Sequence, residues 1–90
     1  MKFEVGEIVV TPAASEALEA YGQRVSDLLA RHQAGDWGDV SDQARAVNER
    51  ALAERFNLQS VYAVSNGQRL IVVTNRERSR TMIHLDRHAN

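Results

Sequence analysis

Apolar and polar positions change rhythm several times along the chain, and each change marks an element. Residues 3–10, FEVGEIVV, are β-branched and apolar and predict a strand, with Gly6 as an interruption that suits a bulge. Thr11-Pro12 then opens a helix, threonine as N-cap and proline at the first helical position, where a missing N–H costs nothing. Ala14, Ala17, Leu18 and Tyr21 give that helix one apolar face, and Gly22 ends it. A second helix spans about Val25 to Ala34. Its stripe is Val25, Leu28, Leu29 and His32, and Gly35 closes it. A third helix starts near Ser41 or Asp42 and ends near Phe56. Its apolar side is Ala44, Val47, Ala51 and Leu52, with Asn48 on the same side.

The last third alternates at the period of strands. Ser60–Ser65 and Arg69–Thr74 flank Asn66-Gly67, a strong short-range hairpin signal. A two-residue loop there pairs Val64 with Arg69, Tyr62 with Ile71 and Ser60 with Val73. The opposite face then carries Val61 and Ala63 against Val72 and Leu70. Both faces of the hairpin are fairly apolar, so one packs on the helices and the other must meet a helix, a curled sheet or another molecule. After the charged connection Asn75–Ser79, Arg80–Leu85 predicts a final strand. The expected fold is α+β, in the order β-α-α-α-β-β-β, with the helices packed on a small antiparallel sheet.

Ninety residues form one domain, residues 1–90, because two cores cannot be buried in so short a chain. With 43% hydrophobic and 26% charged residues, the composition argues against disorder and low complexity. No apolar run is long enough to span a bilayer, and the first residues lack a signal-peptide pattern. Without cysteine there is no disulfide framework or thiolate chemistry. A cytoplasmic protein is the simplest expectation.

The net charge of −1 hides an asymmetry. Residues 1–68 are net acidic. Residues 69–90 hold Arg69, Arg76, Arg78, Arg80 and Arg87 against only Glu77 and Asp86, with His84 and His88 adding charge at lower pH. Such a basic end attracts phosphates or an acidic partner, or simply protects an edge strand. Arg69, Arg76, Arg78 and Arg80 are expected to converge at one end of the hairpin, where arginine forks recognise phosphate or carboxylate. In the expected register Tyr62 faces the same side as Arg69 and offers a stacking surface, while His84 shares its face with Arg80 and Met82.

The segment RHQAGDWGDVS at Arg31–Ser41 predicts a built corner between two helices. In it His32, Gly35, Asp36, Trp37 and Gly38 act with Asn48. His32 and Asn48 are expected to hydrogen-bond the backbone of Gly35–Asp39, and Trp37 to cover the ends of the two helices. No metal is expected, since there is no His-x-x-x-His pair, no cysteine and no calcium-loop pattern. No cofactor is expected, and neither a nucleophile motif nor a phosphate-cradling loop is present.

At RHQAGDWGDVS, Asn48, Ala51-Leu52, SVYAV and VVTNRERSRTMIHL, the chain resembles the small "plasmid-related" proteins of bacterial plasmids, phages and integrated elements. The resemblance covers roughly residues 7–85 and centres on the motif H-Q-x-G-D-W-G. Thr74, Arg78, Ser79 and Thr81 match the family's T-E-A-D-R-S-x-T pattern. Asn75, Arg76 and Glu77 depart from it and make the loop more basic, and Arg24-Val25 stands where the family has Ser-Pro. The resemblance implies a mobile-element neighbourhood and brings no activity with it. The expected function is a non-enzymatic accessory protein that binds a protein partner through its sheet face and arginine loop, alone or as a homodimer, for instance as a host-defence inhibitor. The alternatives are an RNA-directed toxin of RelE/ParE-like topology, with Arg69, Arg78, Arg80 and His84 at the phosphate, and a small DNA-binding regulator using Arg45 and Arg50. Nucleic acid has only this weak support, and no membrane partner is expected.

Overall fold

The computed structural model describes residues 1–64 and 67–86. The elements follow the expected order: β1 (Glu7–Val10), α1 (Pro12–Ala20), α2 (Val25–Gln33), α3 (Asp42–Glu54), β2 (Leu58–Ala63), β3 (Arg69–Thr74) and β4 (Arg80–Leu85). The α+β class holds, with one correction to the sheet. It is mixed, in the order β1-β4-β3-β2, because β1 runs parallel to β4. The first strand is also shorter than its composition suggests. Gly6 has φ +65°, and a Cβ there would collide with the backbone of Ser79, so the chain turns at Gly6 and residues before it form an irregular arm.

The helices begin as the sequence dictates. Thr11 Oγ1 accepts from the Ala14 N–H at 3.3 Å with Pro12 next to it, and Ser41 Oγ accepts from the Ala44 N–H at 3.1 Å. Helix α3 ends at Arg55, whose φ of 58° is left-handed without being glycine. Two apolar clusters result. One joins Ala14, Leu18 and Leu28 to Tyr62, Leu70, Val72 and Ile83 of the sheet. The other is Phe3, Trp37, Ala51 and Leu58. Val47, expected on the apolar side of α3, is 54% exposed, and Asn48 and Ala51 are the buried positions of that helix.

The hairpin register differs from the expected one by a single residue. Tyr62 pairs with Leu70 and Ser60 with Val72. The Val64 N–H donates to the Gln68 carbonyl at 2.8 Å, so three residues form the loop instead of two. Asn66 of the expected turn lies outside the described residues; Gly67, at φ +74°, is left-handed. Because side chains alternate along a strand, this shift reverses the expected face of one strand relative to the other. Tyr62 and Arg69 therefore point to opposite faces, and Tyr62 is 1% exposed on the helix side.

Candidate functional site

The Arg31–Ser41 segment is a corner in the structure, but His32 and Asn48 reach the sheet, and it is Asp36 whose carboxylate accepts from the loop backbone, at the Gly38 N–H. His32 is fully buried. Its Nδ1 lies 2.5 Å from Ser60 Oγ and its Nε2 lies 2.9 Å from Thr74 Oγ1. Thr74 Oγ1 meets Thr81 Oγ1 at 2.6 Å, and the Thr81 hydroxyl donates to the Val5 carbonyl at 2.8 Å. The Thr81 hydroxyl is committed to Val5, so the Thr74 hydroxyl donates to Thr81 and Nε2–H donates to Thr74. Burial, aided by the charge of Arg78, holds the ring's pKa down at about 4, and the neutral ring then accepts from the Ser60 hydroxyl at Nδ1. A histidine beside a serine has the makings of a base and a nucleophile. Here both side chains have no exposed surface, so the pair is packing rather than chemistry.

Asn48 likewise turns to the sheet. Its Nδ2 donates to the Gln59 carbonyl at 2.8 Å and its Oδ1 accepts from the Gln59 N–H at 3.0 Å. Both corrections have one cause: the loop satisfies its own backbone by lying along β2. The Val61 N–H donates to the Trp37 carbonyl at 3.0 Å, and the Asp39 N–H donates to the Val61 carbonyl at 2.6 Å. Gly38 sits between, at φ +77°, where a Cβ would strike the Val61 carbonyl and the Tyr62 ring. Gly35, at φ +84°, makes the turn out of α2.

Trp37 is buried in the corner. It is 2% exposed, stacks on Phe3 at 6.2 Å, meets His32 edge-on at 5.8 Å, and donates from Nε1 to Glu49 at 2.8 Å. Asp36 holds the outer side. Its carboxylate takes the Arg31 guanidinium at 2.7 Å, which keeps the Asp36 pKa below its usual value, and its carbonyl accepts from the Tyr62 hydroxyl at 2.6 Å. Arg31 lies over the Tyr62 ring at 4.3 Å. Burial, the main cause, raises the Tyr62 pKa to about 12. Tyr62 is therefore a member of the corner and offers no stacking surface.

The arginines do not converge. Arg69 and Arg80 share the outer sheet face but stand at opposite ends of it, Arg69 paired with Asp39 and Arg80 with Glu7, each at 3.3 Å. Arg78 turns inward from the β3–β4 connection. Its Nη1 donates to the carbonyls of Phe56 (2.7 Å) and Asn75 (2.9 Å), and its Nη2 to that of Ala51 (2.9 Å), collecting the end of α3. Arg76 is exposed on the same connection. Arg87 and His88 lie outside the described residues. On α3, Arg45 pairs with Asp42 and Arg50 with Glu54, so the helix shows no basic stripe for a DNA groove.

The outer face does have a consistent pattern. Across the sheet, Val9, Met82 and Val73 form one row, and His84, Ile71 and Val61 form the next. Charged residues bound the rows at both ends: Glu7 with Arg80, and Asp86 with Arg69. Two hollows share His84 as a common wall. One of about 460 Å³ runs to Thr11, Pro12 and Asp86, and one of about 320 Å³ runs to Met82, Arg80 and Asn57. Together they form a trough along β4. Among the described residues no three His, Asp or Glu side chains gather as a metal site, and no helix is long and apolar enough to cross a membrane.

No family model, curated protein or solved structure matches the chain.

Sequence reasoning singled out the Arg31–Ser41 segment and missed two residues that pack on it, Phe3 and Glu49. No local pattern marks either one, since both arrive from elements distant in sequence.

Proposed function

We propose that this chain is a small non-catalytic binding module that receives a protein partner on the outer face of its sheet. One observation supports this reading above others: the buried residues of α1 and α2 pack on one sheet face and α3 holds the β2 edge through Asn48, while the opposite face leaves Val61, Ile71, Val73 and Met82 partly exposed and bounded by charge. By strand spacing and rise the face measures roughly 19 Å by 20 Å, or about 400 Å². A flat contact of that size is small for a stable complex of two globular surfaces. It suits one amphipathic helix about 10–12 Å across, seated in the trough along β4, with Ile71, Val73 and Met82 as its apolar floor. The resemblance to plasmid-related proteins suggests a partner encoded by the host or by the mobile element, and a host-defence protein fits that setting.

The test is co-purification from a bacterial host with the full chain and with Ile71→Glu/Val73→Glu. Both substitutions are on the outer face, and circular dichroism checks that the fold survives. The reading expects a stoichiometric protein partner that the double variant loses. Equal recovery by both chains, or protection of the helix side alone in hydrogen exchange of the complex, refutes it. An RNA-directed toxin is less well supported, because Arg69, Arg78 and Arg80 are spread over three sites.

A further inference from the structure

The two edges of the sheet differ. At β2, Gln59 and Val61 turn their main-chain groups away from β3, and the chain covers both. Asn48 takes the N–H and carbonyl of Gln59, while the Trp37 carbonyl and the Asp39 N–H take those of Val61. At β1 no such cover exists among the described residues. The Glu7 N–H donates to the Ser79 carbonyl at 2.9 Å and the Thr11 N–H to the Ile83 carbonyl at 3.0 Å, so Glu7, Val9 and Thr11 face β4. Alternation along the strand turns the N–H and carbonyl of Ile8 and Val10 outward. No other described residue hydrogen-bonds them.

The neighbouring segments leave this edge clear. Before β1, the turn at Gly6 sends the arm inward, where the Val5 carbonyl accepts from Thr81 at 2.8 Å and Phe3 joins the Trp37 cluster. After β1, α1 folds back over the sheet, and Ala14, Ala17 and Leu18 pack with Leu70, Val72 and Ile83. Ile8 is consequently 36% exposed, although its neighbour across the ladder, Thr81, is fully buried.

We propose that two copies of this chain pair along β1, antiparallel about a two-fold axis at Val9. The ends of the strand choose this register. In an antiparallel pair the outward-facing residues stand opposite each other, because they exchange the hydrogen bonds. Setting Val10 against the partner's Val10 brings Ile8 opposite Pro12, which has no N–H. Setting Ile8 against the partner's Ile8 brings Val10 opposite Gly6, whose φ of +65° leaves the extended region. The remaining register puts Ile8 opposite the partner's Val10 and Val9 opposite the partner's Val9. Every apolar pair is then β-branched, the favourable case across strands. Glu7 falls opposite the partner's Thr11, which is still extended at φ −68° and ψ 155°, so no like charges oppose. The strand thus complements itself, and a single two-fold operation uses the free edge of both copies. So short a contact buries less than about 1,200 Å², which makes the dimer reversible and dependent on concentration. The pairing is independent of the docking face: Ile71 and Val73 lie on β3, two strands away from β1.

The test is sedimentation velocity of the full chain from about 10 μM to about 1 mM, with amide hydrogen exchange at both limits. A dimer is expected to form within that range, and the Ile8 and Val10 amides to exchange severalfold more slowly at the upper limit. Ile8→Pro removes one outward N–H and leaves the ladder to β4 intact, so this variant stays monomeric throughout. Ile8→Lys keeps the backbone, adds charge at the edge, and is expected to stay monomeric too, which decides the matter should the proline variant fail to fold by circular dichroism. Ile71→Glu/Val73→Glu dimerises like the parent chain. A monomer at every concentration, a dimer that survives in folded Ile8 variants, or a dimer lost only in Ile71→Glu/Val73→Glu would each overturn the pairing.

Discussion

Acid should unfold this protein earlier than its carboxylates alone require, and His32 is the reason. In the unfolded chain its imidazole takes a proton with the ordinary pKa of 6.5, whereas in the native chain that value falls to about 4. Protonation therefore favours the unfolded state. The stability that neutral His32 contributes is intact above pH about 7, declines as pH drops through 6.5, and levels off below about 4. The full difference corresponds to roughly 3 kcal/mol. Between pH 7 and pH 5 the same linkage removes about 2 kcal/mol, a visible share of the roughly 5–13 kcal/mol expected of a domain this size. That window lies above the Asp36 carboxyl, whose pKa the Arg31 guanidinium lowers, so its loss belongs to more acid conditions. Urea denaturation followed by far-ultraviolet circular dichroism at half-unit pH steps measures the slope. Ring-proton NMR of His32 gives the native pKa directly, and His32→Gln should remove the slope between pH 7 and 5. A flat stability profile across that window, or a His32 ring that titrates near 6.5 in the native protein, would refute the assignment of a neutral ring locked between Ser60 and Thr74.

The corner makes two further predictions. Trp37→Ala removes a ring packed on Phe3 and His32 and leaves Glu49 without its donor, so it should cost about 3–5 kcal/mol. Because Trp37 is the only tryptophan, the measurement must use circular dichroism, and an unchanged urea midpoint would show that the ring is not a packing element in solution. Gly38→Ala places a methyl group against the Val61 carbonyl at a left-handed position and should cost about 2–4 kcal/mol. If its melting temperature matches that of the parent chain, the loop is not held against β2.

Helix positions, caps and the order of elements along the chain were legible in the sequence because they depend on local rules, whereas the parallel place of β1 beside β4 was not. Thr11-Pro12 and Ser41 cap as their chemistry requires, and Leu28 and His32 face the core at their helical spacing. The hairpin register was less legible. Asn66-Gly67 indicates a turn, but the choice between a two- and a three-residue loop rests on which face of Tyr62 the helices accept, and that is a tertiary matter. The partners of His32 and Asn48 were hidden for the same reason, since Ser60, Thr74, Thr81 and Gln59 look like ordinary strand residues until the sheet brings them under the helices. The arginine group illustrates the limit of counting charge along a chain. Arg69, Arg76, Arg78 and Arg80 are neighbours in sequence, yet Arg69 and Arg80 stand at opposite ends of the outer sheet face, and the left-handed turn at Arg78 turns its guanidinium inward to the end of α3.

The contact of Gly38 with Val61 also bears on how copies of this protein avoid one another. A terminal strand with a free row of amides and carbonyls invites the same strand of a neighbouring molecule, which is how sheets grow into fibrils. Trp37 and Asp39 occupy both main-chain groups of Val61, at the middle of β2, so no intruding strand can zip along it without first prising the indole from its seat. The residues that hold the core together thus also serve as a guard against polymerisation.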